Sequence, residues 1–370
     1  MKKISIYTRS GVTSPSSYYR ILQYSKNFQG SIQYRFVSPE WLYIKHNSVK
    51  GYASKYLWYS IYYATIYFRL CFFLLKDIFN KVDCIIISRA LSPKICLFPL
   101  ANIMRAALKK SNVIWDFDDD IFESKEISNT EKKILIESSN SIVVISNYLK
   151  QLLPREIHDR VILLPTTDGD MQEFNLDKLN CERQKKFEKT VELLWIATSY
   201  SMPHLEKIGQ VLEESAKEVK LALNKELTLN VVCNKPFVFE TEYLKINNIE
   251  WTRERAIEAI CNAHIGIMPL INNRNSLGKG GFKIVQYMAA GLPAIASSIG
   301  FNNEIIIDGE TGRLVDDEVN ISNWTKAIME MASDWEIVHK FSYNSLRAWK
   351  KNFSFQANLS TWKYNLIDKI

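Results

Sequence analysis

None of the six cysteines (Cys71, Cys84, Cys96, Cys181, Cys233, Cys261) falls in a CxxC pair or at a Cys/His metal spacing. That excludes a zinc ribbon, a thioredoxin-type motif and a disulfide-stapled secreted module. The thiols read as reduced core residues of a cytosolic protein. Charge of one sign is not in large excess either: 47 lysines and arginines against 40 acids leave +7. This favours anionic ligands or a membrane surface and is too little to argue for nucleic acid. No repeat at a solenoid period appears. The chain opens directly on a strand, Lys3 to Thr8, so no signal peptide is expected. What is present is 370 residues, room for about two domains, with 47% hydrophobic and 24% charged content.

One stretch organises the rest, His264 to Val315. His264 to Leu270 is a short apolar run of buried-strand length, and Asn272 to Gly281 has turn composition throughout. Phe282 to Ala290 then turns helical, with Phe282, Val285 and Ala289 on one face. Gly291 stands where a left-handed C-cap wants glycine, and Pro293 forbids continuation. Leu292 to Ser297 reads as another buried strand, followed by a second glycine-bearing loop. Amides of the Gly278–Gly281 loop, the positive end of the helix dipole, and Lys279 and Lys283 meet at one place, which suits a diphosphate. The competing reading is a tight turn with two solvated lysines.

The run GKGGFKIVQYMAAGLPAIAS, Gly278 to Ser297, resembles the donor-site signature of the retaining glycosyltransferase family 4, whose fold is GT-B. The continuation GFNNEIIIDGETGRLV, Gly300 to Val315, fits the same pattern in order and spacing. The resemblance implies an α/β chain of two Rossmann-like doubly wound domains facing a cleft. Residues 1–180 would bind acceptor and 188–340 donor, with 341–370 crossing back onto the first domain. It implies no metal and no cofactor beyond the nucleotide-sugar co-substrate. A lipid-linked saccharide would be the acceptor, at the inner face of a bacterial membrane. Donor contacts are then expected at Ser199, Gly278, Lys279, Gly280, Gly281, Lys283, Gln286, Gly300 and Glu304.

The rest of the chain supplies acceptor-side candidates. A Ser/Thr/Gly/Pro-rich loop, Arg9 to Ser17, precedes a helix expected at Ser17 to Phe28, with Ser16 or Ser17 as N-cap. Ser16, Arg20 and Arg89, the last closing a strand at Val82 to Ser88, are the expected acceptor contacts; Arg20 reads equally as a surface residue. Ser92-Pro93-Lys94 reads as the start of a helix. Strands are expected at Val113 to Trp115, Ser141 to Ser146 and Val161 to Pro165. The acidic run Asp116 to Asp120 follows the first of these, where doubly wound folds put ligands. It reads as a metal site, as catalytic carboxylates (Asp118 or Asp119), or as a helix cap; the resemblance argues against the metal.

Tyr52 to Phe79 approaches the length of a membrane span but contains Arg69. A core helix with Arg69 snorkelling, an interfacial helix and a true span all fit the pattern. Asp170 to Thr190 is polar and reads as an interdomain linker. The second domain should open on a strand at Val191 to Thr198. The loop after it has no Arg or Lys before Lys207, so Thr198 and Ser199 hydroxyls and amides stand in for the basic residue common in the family. Further strands are expected at Leu227 to Cys233 and Ile249 to Trp251, with helices at Arg253 to Ala263 and Ile321 to Ser333. Gly278 and Gln286 occupy positions where many family members carry glutamates, and Asn is usual where Thr166 stands; His264 reads as structural. Two functions follow: an active glycosyltransferase, or an impaired glycosyltransferase-like scaffold for an active enzyme. A nucleotide-sugar epimerase or hydrolase on the same fold is a third.

Overall fold

The computed structural model describes residues 1–92, 94–171, 174–316 and 322–367. It divides into two compact units. The first comprises Met1–Thr166 with Gly278–Gly280 and the stretch from Asn358 onward; the second comprises Thr167–Leu277 and Gly281–Ala357. Each is a six-stranded parallel sheet with helices around it.

In the first unit the strands are β1 (Lys3–Thr8), β2 (Ser31–Phe36), β3 (Cys84–Ser88), β4 (Asn112–Phe117), β5 (Ser141–Val144) and β6 (Val161–Leu163), in spatial order β2-β1-β3-β4-β5-β6. Central β3 is buried along its whole length, as expected of a parallel strand covered on both faces. Chain order reverses between β1 and β3, so their carboxyl ends, at Thr8 and Ser88, flank the crevice where such sheets bind ligands. β2 escaped the sequence reading because its residues SIQYRF form a largely half-exposed strand with no apolar run.

The long apolar segment is a single helix, α1 (Tyr52–Asn80). Tyr62, Ile66, Leu70 and Leu74 recur every fourth residue and enter the core. Asp77 anchors its end, accepting from the Tyr7 hydroxyl at 2.6 Å and from the Arg35 guanidinium. Arg69 does not simply reach for solvent. It donates to the carbonyl of Phe36 at 2.8 Å and stacks on Phe73, closing the end of β2. The helix expected from Ser92 begins instead at Leu100, as α2 (Leu100–Leu108). Lys94 has a left-handed φ of 67°, which no helix continues through; Pro93 lies outside the described residues. Among the described residues, no helix is long and apolar enough to cross a membrane.

The second unit runs β7 (Thr190–Ile196), β8 (Glu226–Cys233), β9 (Lys245–Glu250), β10 (Ile265–Met268), β11 (Ala294–Ser297) and β12 (Gly312–Val315), in order β12-β11-β10-β7-β8-β9. This is the dinucleotide-fold order, with its reversal between β7 and β10. The expected linker at 170–190 holds a helix instead, α3 (Leu176–Phe187). Its polar sequence conceals a structural task. Buried Arg183 donates to the carbonyls of Ile260 and Cys261, and of Ala290 and Gly291, which end helices α4 (Arg253–Asn262) and α5 (Phe282–Ala289). One cation thus satisfies carbonyls at two helix C-termini, where the dipole favours it. His264 completes this corner. Its Nδ1 accepts from the Glu192 amide at 2.8 Å, so its Nε2–H donates to the Arg183 carbonyl at 2.9 Å. Burial holds its pKa down at about 4. Helices α6 (Ser322–Ser333) and α7 (Trp335–Asn352) close the unit, Ile321 lying outside the described residues. Beyond Asn358, Trp362 packs against Tyr24 and Phe28 of the first unit.

Candidate functional site

In the first unit the reversal point between β1 and β3 is occupied by a cavity of about 510 Å³. Arg9 and Arg89, which follow the two strands, line it together with Ser16, Asp119 and Glu126, and Tyr43, His46, Tyr59, Tyr62 and Tyr63 form its aromatic side. The His46 ring stacks on Tyr59 and Tyr62 with centroids 4.4 and 4.0 Å apart, and its pKa is lowered, chiefly by burial.

Arg89 is the hub of this cavity. Its Nη1 donates to Asp118 at 2.6 Å and to Asp119 at 2.8 Å; its Nη2 donates to Glu126 at 2.7 Å, and Arg9 donates to Glu126 at 3.1 Å. Its backbone has φ 61°, a left-handed conformation that costs a residue with a Cβ of order 1 kcal/mol or more. The strain persists because the position is over-determined. The Arg89 amide donates to Asp116 O at 2.6 Å, and its carbonyl accepts from Trp115 Nε1 at 2.7 Å. A glycine would relieve the strain and lose the guanidinium.

The acidic run divides by environment. Asp116 is fully buried and paired with Arg20. Asp118 lies against Arg89 and the Ser16 hydroxyl; although burial raises its pKa, the arginines override it and the net shift is downward. Asp119 is half exposed. Burial and then the neighbouring Asp118 push it up to about 6, despite Arg89. Asp120 fills the capping role, its Oδ1 accepting from the amides of Phe122 and Glu123. Two arginines therefore face three carboxylates, Asp118, Asp119 and Glu126, and Asp119 is the one with a side chain open to solvent. Among the described residues no three His, Cys, Asp or Glu side chains converge as a metal would require; the arginines take these carboxylates.

Ser16, Arg89, Asp118 and Asp119 are thus brought together. Arg20 is not with them. It is 2% exposed, its Nε lies 3.1 Å from Asp116, and it also donates to the Leu164 carbonyl, so its charge is spent inside the fold beneath the cavity. Its helix begins at Pro15 after Ser14 and takes a π-helical turn at Tyr18–Leu22; no side chain caps its start.

In the second unit, of the donor-side candidates, Ser199 follows β7, Gly281, Lys283 and Gln286 follow β10, and Gly300 and Glu304 follow β11. Gly281 has φ 56° and opens α5, a conformation suited to glycine, and Gly291 at φ 60° closes it as expected. Lys283, in the first turn, sits over the Trp195 ring at 4.9 Å. Gly278, Lys279 and Gly280 group with the first unit, although residues on both sides group with the second. Burial lowers the Lys279 pKa, and Asp119 opposes that shift. Gly300 has φ 56°, and a Cβ there would meet the Leu277 carbonyl at 2.7 Å. Glu304 is exposed on the short helix Asn302–Ile305.

Two expected contacts are changed. The Ser199 amide is taken by Asn234 Oδ1 at 2.8 Å and its hydroxyl accepts from Asn234 Nδ2 at 3.4 Å, which leaves the hydroxyl proton as what Ser199 can offer. The Gln286 Nε2 donates to Asp168 at 2.7 Å, and buried Asp168 also receives both Nη groups of Arg253 at 2.6 Å. A glutamate at 286 would set a second carboxylate against Asp168, so the amide is the residue this surrounding accepts.

Sequence reasoning missed Arg9, Glu126 and the tyrosine and histidine wall. Arg9 and Glu126 carry no local pattern; only the 117-residue separation closed by the sheet pairs them. The tyrosines were visible as an unusual density in Tyr52 to Phe79 and were read for membrane contact instead.

Residues 193–334 match the family of Glycosyl transferases group 1. No relative was found among curated proteins. Among solved structures the chain is similar to Anabaena Alr3699/HepE in complex with UDP (TM-score 0.64, 11% identity, 100% of both chains). It is also similar to a glycosyltransferase from Rickettsia africae ESF-5 (TM-score 0.61, 14% identity, 97% of this chain and 96% of that one). A third likeness is to sucrose-phosphate synthase from Thermosynechococcus elongatus (TM-score 0.60, 12% identity, 97% and 96%). At these identities the likeness speaks for the fold. Residues 193–334 are thus similar to a group 1 glycosyltransferase domain, and the chain has a GT-B fold.

Proposed function

We propose that the protein is a retaining, metal-independent glycosyltransferase of family 4. It would move a sugar from a nucleoside-diphosphate sugar to a lipid-linked saccharide, in bacterial surface polysaccharide or glycolipid assembly at the inner face of the membrane. The observation that carries this reading is the start of α5: left-handed Gly281, the dipole end of an eight-residue helix and Lys283 at the switch point of the matched domain. Such a corner stabilises a diphosphate, and more so as negative charge grows on it when the glycosyl bond breaks. The similar Anabaena structure holds UDP, which supports a nucleoside diphosphate as the leaving group.

The acceptor is assigned to the first-unit cavity. Tyrosine and histidine rings there suit the apolar faces of a sugar, and Arg9, Arg89 and Asp119 suit its hydroxyls. The acceptor oxygen bonds to the anomeric carbon on the face the diphosphate leaves, and its proton passes to the departing phosphate or to Asp119. Asp119 fits the second route because it is ionised at neutral pH and its pKa of about 6 keeps it basic.

A second reading keeps the protein as a scaffold for an active enzyme, because Gly278 offers no carboxylate and the Gln286 amide is engaged by Asp168. Titration calorimetry with UDP, GDP, dTDP and ADP separates the two: binding of one of them is expected, and no heat with any supports the scaffold. The pair Lys279→Ala with Lys283→Ala should weaken that binding at least ~tenfold with unchanged circular dichroism. Near-normal affinity in the double variant refutes the phosphate assignment. Transfer onto lipid acceptors extracted from cells then identifies the acceptor class.

A further inference from the structure

Helix α1 is apolar on both sides. Opposite the buried face, Leu57, Ile61, Phe68, Phe72, Leu75 and Phe79 are all exposed, and at a helical period they fall within an arc of about 60°. Phe68 is 70% and Phe79 81% exposed, and the neighbouring segment before α2 adds Phe98, also 81% exposed. Exposed apolar area this extensive and this aligned marks an interaction surface.

Charge says what covers it. Between Glu40 and Lys110 the chain carries eleven lysines and arginines against three acids, a surplus of eight that exceeds the +7 of the whole protein. On the acidic side Asp77 is buried against Arg35 and Asp83 accepts from the Lys3 amide; on the basic side Arg69 and Arg89 are engaged within the fold. Lys55, Lys76, Lys81, Arg105, Lys109 and Lys110 are exposed on α1, α2 or the turns after them. A second copy of the chain would bring the same surplus against itself. An anionic lipid surface accepts both features at once, aromatic and aliphatic side chains among the acyl chains and lysines among the headgroups.

We infer that the exposed face of α1, with Phe98 beside it, is a docking surface for an anionic membrane, on which the protein lies without crossing. The candidate acceptor cavity reaches the first turns of the same helix, on the side away from this face. Tyr59 lines that cavity and also a second hollow formed by Gly51, Tyr52, Lys55 and Tyr56 at the start of the same helix. The inference deepens the membrane-side part of the proposed function, and the vesicle-binding readout itself needs neither donor nor acceptor.

The full chain is sedimented with vesicles of phosphatidylglycerol mixed with phosphatidylcholine, and with phosphatidylcholine alone, at low and high salt. Binding to the anionic vesicles is expected, falling at high salt and on neutral vesicles. Replacing Phe68, Phe72 and Phe79 together by serine should lower partitioning by at least ~tenfold. Lys76→Glu with Lys81→Glu should lower it by about fivefold or more per site. UDP titration and circular dichroism of each variant serve as controls, so loss of vesicle binding with nucleotide binding retained speaks to this face alone. No binding to anionic vesicles, or binding that the triple serine variant leaves unchanged, overturns the inference. A dimer in analytical ultracentrifugation that the triple variant dissolves also overturns it, in favour of a second copy on this face.

Discussion

Replacing Arg89 by alanine tests whether one guanidinium holds the acceptor-side cavity together. The substitution removes contacts of 2.6 Å to Asp118, 2.8 Å to Asp119 and 2.7 Å to Glu126. These do not count equally. The Asp119 side chain is 52% exposed and regains water, so its pair is worth about 0–1 kcal/mol. Glu126 keeps Arg9 at 3.1 Å. Asp118, with a side chain 14% exposed, is left as the stranded charge, and stranding a buried carboxylate costs about 3–5 kcal/mol. Allowing for its partial exposure, Arg89→Ala should cost the first unit about 3 kcal/mol. Arg89→Gly loses the same contacts but relaxes the left-handed backbone, and should be more stable than the alanine variant by about 1 kcal/mol. Urea titrations followed by tryptophan fluorescence at neutral pH measure both. The sign of the pH effect follows from Asp118 and Glu126, whose pKa values are held below the usual carboxylate range by Arg89 in spite of burial. Their contribution is fully present above about pH 5 and is lost as pH falls through their folded values, so the gap between wild type and variant should close in acid. A cost below about 1 kcal/mol, a gap that does not change in acid, or equal stability of the alanine and glycine variants would each refute the account.

Three other perturbations bear on the remaining sites. The transfer rate should rise with pH through about 6 as Asp119 ionises; Asp119→Asn should remove that limb while leaving nucleotide affinity within about twofold, and an unchanged pH–rate profile would rule the carboxylate out as base. Gln286→Glu should destabilise the second unit by about 1–2 kcal/mol at pH 8 and by less at pH 5, because the new carboxylate meets Asp168; equal stability at both pH values would show that the amide contact is dispensable. His264, whose folded pKa of about 4 lies below the usual 6.5, should make the second unit lose about 3 kcal/mol as pH falls from 6.5 to 4, since only the unfolded chain takes up the proton there. His264→Gln should flatten that slope, as read from urea midpoints across the range.

What the sequence determined by itself lies where short-range backbone rules decide. The resemblance carried by Gly278 to Val315 already implied α/β, and Gly291 before Leu292 and Pro293 marked the end of α5 because few residues but glycine take φ 60°. Within the run from Gly278 to Ser297, Gly281 at φ 56° answers to the same kind of local rule. The tertiary structure decided which charges meet. Arg20 lies 96 residues from Asp116 and became its internal partner because the start of the first helical stretch packs beneath the end of β4. The four aspartates from Asp116 to Asp120 read as one acidic cluster, yet strand alternation and the turn after β4 send them to a buried arginine, a hub arginine, solvent and a backbone cap. The polar stretch that looked like a linker is a helix because Arg183 is needed at two helix ends far away in sequence. Pairing of this kind depends on sheet order and on burial. Neither is encoded in the spacing of neighbouring residues, because a charge has the same sequence signature whether water or another side chain receives it.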